Sequence, residues 1–273
     1  MDDGTEHTAS QSDQHSGADP LAPPPEGQGG LLTYNSPLSE ARARSLITTA
    51  VTHHPRTVVD LGCGWGRLLV DVLAAAPGAT GVGIDVHGPD LERGRTLAER
   101  SGVADRVTFV TGEAEPYRDA ADLVINIGAF QAYRTPAQAL GALRELVNPG
   151  GRLIFGAEFW EHPPTDAELA HLWEGTTAED CTDLAGLVDL AVAAGFRPVR
   201  TETVTRTEWE EYESGHMAER ELWLAAHPGH PQADEVRSAL DSQRSIWLRG
   251  HRDLLGFAYL TLVGDEARTG GRA

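Results

Sequence analysis

Lysine is missing from this chain: all 22 basic residues are arginines, set against 41 acidic ones. Schiff-base catalysis, pyridoxal phosphate chemistry and a P-loop lysine are therefore excluded. Positive charge is scarce overall, with a formal net charge of -19 and a pI near 4.9. Such a chain repels phosphate backbones, so no nucleic-acid partner is expected. Cysteine is almost absent too. Cys63 and Cys181 are too few for a disulfide framework and lack metal-ligand spacing, so no metal is expected. No apolar run approaches the roughly 18–20 residues of a membrane helix, which leaves no membrane partner. Residues 1–30 hold six acids and no arginine, unlike the basic-then-apolar start of an export signal. A cytoplasmic chain is expected.

What is present is an ordinary supply of apolar residues, 40% of the chain, arranged in short runs that alternate with helical patterns. Expected strands are Thr57–Leu61, Thr80–Asp85, Arg106–Val110, Asp122–Ile127, Arg152–Ala157, Arg197–Thr203 and Gly256–Val263. Leu68, Leu69, Val72, Leu73 and Ala76 fall on one helix face after the first strand. Leu184, Leu187, Val188 and Ala191 do the same before Gly195. Ser36 and Pro37 suit the cap and first position of a helix carrying Leu46, Ile47, Ala50 and Val51. Alternation of this kind implies an α/β fold, a parallel sheet with helices on both faces. Residues 1–30 and 264–273, with little to bury, are expected as disordered tails around a domain at 31–263. Segments 158–181 and 207–252 interrupt the alternation and are expected as helical cap insertions. For the second, Trp209, Tyr212, His216 and Trp223, then Val236, Leu240 and Trp247, form the expected apolar helix faces.

The first expected strand runs into Val58-Val59-Asp60-Leu61-Gly62-Cys63-Gly64-Trp65-Gly66-Arg67 and then a helix. Alternate glycines let the backbone pass close to a ligand, and the helix N-terminus offers unpaired N–H groups to an anionic group. Asp85 ends the second strand 21 residues after Gly64, where a carboxylate can accept from both ribose hydroxyls. A dinucleotide site prefers G-x-G-x-x-G. Counted from Gly62 the third position fails at Arg67, and from Gly64 it fails at Leu69.

The stretch resembles motif I of the class I S-adenosylmethionine-dependent methyltransferases, an acidic residue followed by L-G-x-G-x-G. Gly83-Ile84-Asp85, Gly112-Glu113-Ala114, Asp122-Leu123-Val124-Ile125-Asn126 and Asn148-Pro149-Gly150-Gly151-Arg152-Leu153 extend the resemblance over residues 31–263. The resemblance implies a Rossmann-like seven-stranded methyltransferase sheet and S-adenosylmethionine as cofactor. It places Asp60, Gly62 and Gly64 near the methionine part and Asp85 at the ribose, with Cys63, Gly66 and Val86 also among the cofactor-binding residues. Glu113 and Ala114 then fall at the adenine, and Asn126 and Ile127 at the cofactor's inner edge. Many relatives have Asp where Glu113 stands. Many small-molecule members have a His shortly after the fourth strand, where this chain has Gln131, so a general base there is unavailable. In related methyltransferases the segment before the first strand closes over the cofactor, which makes Tyr34 a lid residue.

The implied activity is methyl transfer to an O, N or C nucleophile of a small molecule, in specialised metabolism. The alternatives are another outcome from the same cofactor, such as cyclisation, or an NAD(P)-dependent oxidoreductase. Candidate bases or orienting groups are Glu158, His162, Glu213 and His216. Residues 158–180 hold seven acids and no arginine, and residues 208–221 add six acids against Arg220. The acceptor is accordingly expected to be neutral or cationic rather than anionic. A homodimer is left open.

Overall fold

In the computed structural model, which describes residues 21–265, seven strands form one sheet. They are β1 (Thr57–Leu61), β2 (Thr80–Asp85), β3 (Val107–Thr111), β4 (Ala121–Ile127), β5 (Val147–Trp160), β6 (Phe196–Thr203) and β7 (Leu255–Gly264). The helices are α1 (Glu40–Val51), α2 (Arg67–Ala75), α3 (Gly88–Arg100), α4 (Pro136–Leu146), α5 (Asp166–Leu169), α6 (Leu184–Ala193), α7 (Arg206–Ala226) and α8 (Ala233–Ser245). Every expected strand is present, with ends shifted by a few residues.

The spatial order is β3-β2-β1-β4-β5-β7-β6. β1 is buried along all but its first residue and pairs in parallel with β2 and β4. Since the chain winds outward from β1 to β3 and then returns to β4, the order reverses beside β1. A crevice opens at the carboxyl ends of strands at such a reversal. One face of the sheet is covered by apolar residues of α4 and α6, such as Leu140, Leu143 and Leu187. The other packs on α1, α2 and α3 through Leu46, Leu69, Leu73 and Leu91.

The sheet is mixed, not parallel throughout: β7 runs antiparallel to both β5 and β6. After β6 the chain stays at the carboxyl edge, spends residues 206–253 there in helices, and re-enters from that edge. With no crossover back to the amino edge, the last strand must run the other way.

Local chemistry sets the helix starts. Ser39, not Ser36, caps α1, accepting from the Arg42 N–H. Thr205 and Glu208 form a capping box at α7. The Glu208 carboxylate also receives Ser39 Oγ at 2.7 Å and both Arg42 Nε and Nη2 at 2.8 Å, which ties α7 to α1. Burial alone would raise this carboxyl, but the bonds from Arg42, Thr205 and Ser39 outweigh it and hold it at about 2.

The α7–α8 pair buries Met217, Trp223, Val236, Leu240 and Trp247 together. Trp209, Tyr212 and His216 are not part of that seam; they turn toward the sheet edge and line cavities there. The expected tail also ends earlier than residue 30. Trp223 Nε1 donates to the Leu21 carbonyl at 2.9 Å, Arg220 pairs with Glu26 at 3.1 Å, and Glu219 accepts from the Gly30 N–H at 3.0 Å. From α3, the Arg93 guanidinium donates to the carbonyls of Gln28, Gly29 and Leu32 while lying 3.8 Å from the Trp65 ring centroid. Residues 21–33 therefore form a strap between α3 and α7. Residues 1–20 and 266–273 of the expected tails lie outside the described residues. Among the described residues no helix is long and apolar enough to cross a membrane.

Candidate active site

The turn after β1 is built from positive-φ glycines: Gly62 at 79°, Gly64 at 53° and Gly66 at 62°. A side chain would be strained at each. At Gly62 a Cβ would also stand 2.2 Å from the Ala129 Cβ, and at Gly66 it would enter the Phe109 ring at 2.5 Å. Gly66 thus serves as the left-handed entry to α2 and packs inward. The Gly62 and Cys63 N–H groups both donate to the Ile84 carbonyl, which pins the turn to the end of β2. Asp85 completes it: one carboxylate oxygen accepts from the Gly64 N–H at 2.8 Å and the other from the His87 N–H at 2.9 Å.

Gly62, Cys63, Gly64 and Asp85 wall a cavity of about 240 Å³ at the reversal point, together with Asp60, Ile127 and the segment around Tyr34. Gly66, expected at the cofactor, faces Phe109 instead and does not line it. Asp60 is 4% exposed, and no hydrogen-bond donor reaches its carboxyl among the described residues. Burial, reinforced by the nearby Asp85 charge, pushes it up to about 8. A buried carboxyl facing a cavity without a donor fits a cationic group, such as the ammonium of a methionine moiety. The Cys63 thiol is pushed far up by burial and by Asp60 and Asp85, which removes it as a nucleophile.

A second cavity, of about 1040 Å³, adjoins the first and shares Glu158, Trp209 and Tyr212 with it. Its walls come from the strap (Glu26, Gly27), from the 173–181 loop and from α7 and α8. Glu213 and His216 line it. The Glu213 carboxyl lies 3.3 Å from Nε2 of His251. His216 stands edge-on to Tyr212 at 4.6 Å, and burial lowers its pKa, so the ring is neutral at pH 7. Glu158 carries no hydrogen bond or ion pair to another side chain; burial raises its carboxyl, opposed more weakly by its own backbone N–H and then by His251.

Several expected site residues sit elsewhere. His162 is half exposed, beside the Pro163 carbonyl and 3.7 Å from Glu168, and lines neither cavity. The Asn126 side chain is fully buried and donates to the Leu61 carbonyl at 2.9 Å, so it braces the end of β1 from within. Tyr34 lines the smaller cavity, but its hydroxyl donates to Asp71 at 2.8 Å, and burial together with that bond raises its pKa well above the usual range. Val86 is 61% exposed, Glu113 is exposed and Ala114 is buried, all outside the lining of both cavities. The turn that carries Glu113 and Ala114 nevertheless abuts Asp85, whose carbonyl accepts from the Gly112 N–H at 3.0 Å.

Among lining residues not foreseen, Trp65 and Arg67 lie inside the glycine motif, and Gly128 directly follows β4 with φ 63°. Those signals were available. Phe257 had none, because it reaches the cavity only through the antiparallel return of β7.

A glycine turn bonded to an acidic strand end, at the reversal point of a sheet in this order, defines a Rossmann-like enzyme for an adenosine-containing cofactor. A model of the methyltransferase domain family matches residues 59–153. The uncharacterized protein YjhP of Escherichia coli (strain K12) is 28% identical over 208 residues, spanning 76% of this chain and 84% of its own. A methyltransferase from Geobacter sulfurreducens, solved with S-adenosyl-L-homocysteine, superposes with a TM-score of 0.78 at 26% identity, over 87% of this chain and 96% of that one. One from Thiobacillus denitrificans, also with S-adenosyl-L-homocysteine, gives 0.77 at 26% identity over the same shares. Residues 59–153 carry a methyltransferase domain, and the chain has the fold of the class I S-adenosylmethionine-dependent methyltransferases.

Proposed function

We propose that the chain methylates a small molecule, with the cofactor in the 240 Å³ cavity and the acceptor in the 1040 Å³ cavity beside it. The observation that carries this reading is their junction: two cavities meeting at Glu158, Trp209 and Tyr212. In this reading segments 158–181 and 207–252 form a cap on the domain. A cavity of this size, walled by cap and strap, fits a bulky small molecule.

Asp60 takes the cofactor's α-ammonium, and Asp85 accepts from the ribose hydroxyls. Gly62, Cys63, Gly64 and Ile127 form the floor, and Val86 with the Glu113–Ala114 turn covers the adenine side. Bound there, S-adenosylmethionine supplies an electrophilic methyl group on a sulfonium sulfur. The protein contributes positioning in a dry junction, where a well-oriented acceptor gains much of its rate. The larger cavity carries Glu26, Glu158, Glu179, Asp180 and Glu213 against Arg134 alone, which favours a neutral or cationic acceptor over an anion.

Calorimetry tests the assignment. S-adenosylmethionine or S-adenosylhomocysteine should bind at micromolar order, about -8 kcal/mol, and NAD should not. Tighter binding of NAD would overturn it. Methyl-labelled cofactor should pass its label to an acceptor rather than keep it.

A further inference from the structure

The larger cavity has a chemical character that narrows the acceptor further, on the assumption that the methyl-transfer reading is right. Its apolar wall is aromatic. Trp173 is 51% exposed, in a chain that otherwise buries most of its large rings, and it stacks on His251 at 5.1 Å with the planes 15° apart. Trp209 lies tilted 5.8 Å from His251 and edge-on 5.9 Å from Tyr212. Open aromatic faces of this kind receive a flat ring by stacking or a cation over the π cloud.

The carboxyls are not equivalent. Glu26 is neutralised by Arg220, Glu213 lies beside Nε2 of His251, and Asp180 is bonded to Thr177. Glu158 alone stands at the junction of the two cavities, and it has no side-chain partner among the described residues. Its half-buried carboxyl lies where the methyl-accepting atom has to come. Arg134, the sole guanidinium in the lining, is exposed. Two buried polar atoms of the same wall, the indole N–H of Trp209 and Nε2 of His216, find no partner among the described residues. Unpaired polar atoms of this kind cost free energy unless something polar meets them.

We propose that the acceptor is an arylalkylamine, an amine carried on a short chain from an aromatic ring, bound with its ring against Trp173 and Trp209 and its amino group at Glu158. The Glu158 carboxylate draws the ammonium in and takes one of its protons. The freed nitrogen lone pair then forms the N–C bond as the methyl–sulfonium bond breaks, giving the methylated ammonium and S-adenosylhomocysteine, while the ring covers the exposed indole. Carboxylate-bearing molecules of the same shape meet an uncompensated like charge at that point. Neutral alcohols meet neither the attraction nor the repulsion.

The test uses three indoles that share a ring and differ in charge: tryptamine, tryptophol and indole-3-acetate. Affinity is measured by calorimetry on the full chain saturated with S-adenosylhomocysteine, whose own binding is established first. Failure of S-adenosylhomocysteine to bind removes the methyl-transfer reading itself. With it bound, tryptamine should bind at least tenfold more tightly than tryptophol, and indole-3-acetate more weakly than either. Glu158→Gln should bring tryptamine down to the tryptophol level while leaving tryptophol unchanged. Trp173→Ala should weaken both, and retained S-adenosylhomocysteine binding certifies that each variant is folded. Equal affinities for the three, a preference for indole-3-acetate, or no tryptamine binding at millimolar concentration overturns the proposal.

Discussion

Asp85→Ala is the substitution whose consequences can be worked furthest from the structure. In the folded protein each carboxylate oxygen accepts one backbone N–H, from Gly64 at 2.8 Å and from His87 at 2.9 Å. A carboxylate oxygen has a second lone pair, so both can accept from the cofactor's ribose hydroxyls while keeping the loop in place. Hydrogen bonds to a charged acceptor contribute about 1.5–3 kcal/mol. Loss of the ribose contacts should therefore weaken S-adenosylhomocysteine roughly 10- to 150-fold. Asp85→Asn separates this from damage to the loop. An amide cannot accept both N–H groups, so one faces an NH2 donor and the loop shifts, yet the ribose side keeps polar atoms. The asparagine variant should fall between wild type and alanine in affinity. Calorimetric titration of both variants, with circular dichroism to confirm folding, reads the result. A folded Asp85→Ala protein that binds as tightly as wild type would refute the reasoning, since the ribose would then be held by other groups.

Three further outcomes are expected. Because burial holds Asp60 up at about 8 and the cofactor's ammonium favours its ionised form, S-adenosylhomocysteine binding should release a proton below that pH and strengthen from pH 6 to 8. Calorimetry in buffers of different ionisation enthalpy reads the proton, and an unchanged release in Asp60→Asn would assign it to another group. Glu208→Ala removes the bidentate partner of the half-buried Arg42, leaving it Glu202 at 3.5 Å, and should cost about 1.5–3 kcal/mol. Glu208 lies at about 2 in the fold, below the usual carboxylate value of about 4.3, so its stabilisation is full above that value and is lost as pH falls toward 2. The melting temperature should therefore drop on acidification less steeply in Glu208→Gln than in wild type; parallel curves would contradict the assignment. A chain beginning at Leu31 loses the Glu26–Arg220 pair and two of the carbonyls that hold Arg93, and its melting temperature should fall by at least about 4 °C. No change would show that the strap contributes nothing to the fold.

Much of the scaffold was legible because its signals are local. Seven apolar runs bounded by turn residues gave the strands, and the glycine turn and Asp85 were visible as the pair that walls the smaller cavity, since backbone conformation and strand-end charge are written within a few residues. Features that depend on long-range geometry were not. The direction of β7 follows from where the chain lies after α8, and nothing in Gly256–Val263 encodes it. The packing of residues 21–30 depends on Arg93, Arg220 and Trp223, far away in sequence, so a stretch rich in Gly and Pro read as a tail. His162 followed an acidic strand end and read as a base, but the chain turns outward at Pro163. On α7 the periodicity of Trp209, Tyr212 and His216 looked like a packing face because an aromatic cavity wall and a helix seam share the same spacing. What distinguishes them is the partner, which the sequence of one helix does not contain.

The meeting of the two cavities at only three side chains has a consequence for how such an enzyme diversifies. The floor is drawn largely from β1, β2 and the turns that follow them, whereas the walls of the larger space come from the strap, the 173–181 loop and α7 with α8. A change of acceptor can be made by exchanging wall segments while Asp60, the glycine turn and Asp85 stay as they are. The same separation bears on grafting: a foreign 158–181 or 207–252 segment has to keep Glu158, Trp209 and Tyr212 at the junction, and also the Glu208, Glu219, Arg220 and Trp223 contacts that hold α7 to α1 and the strap.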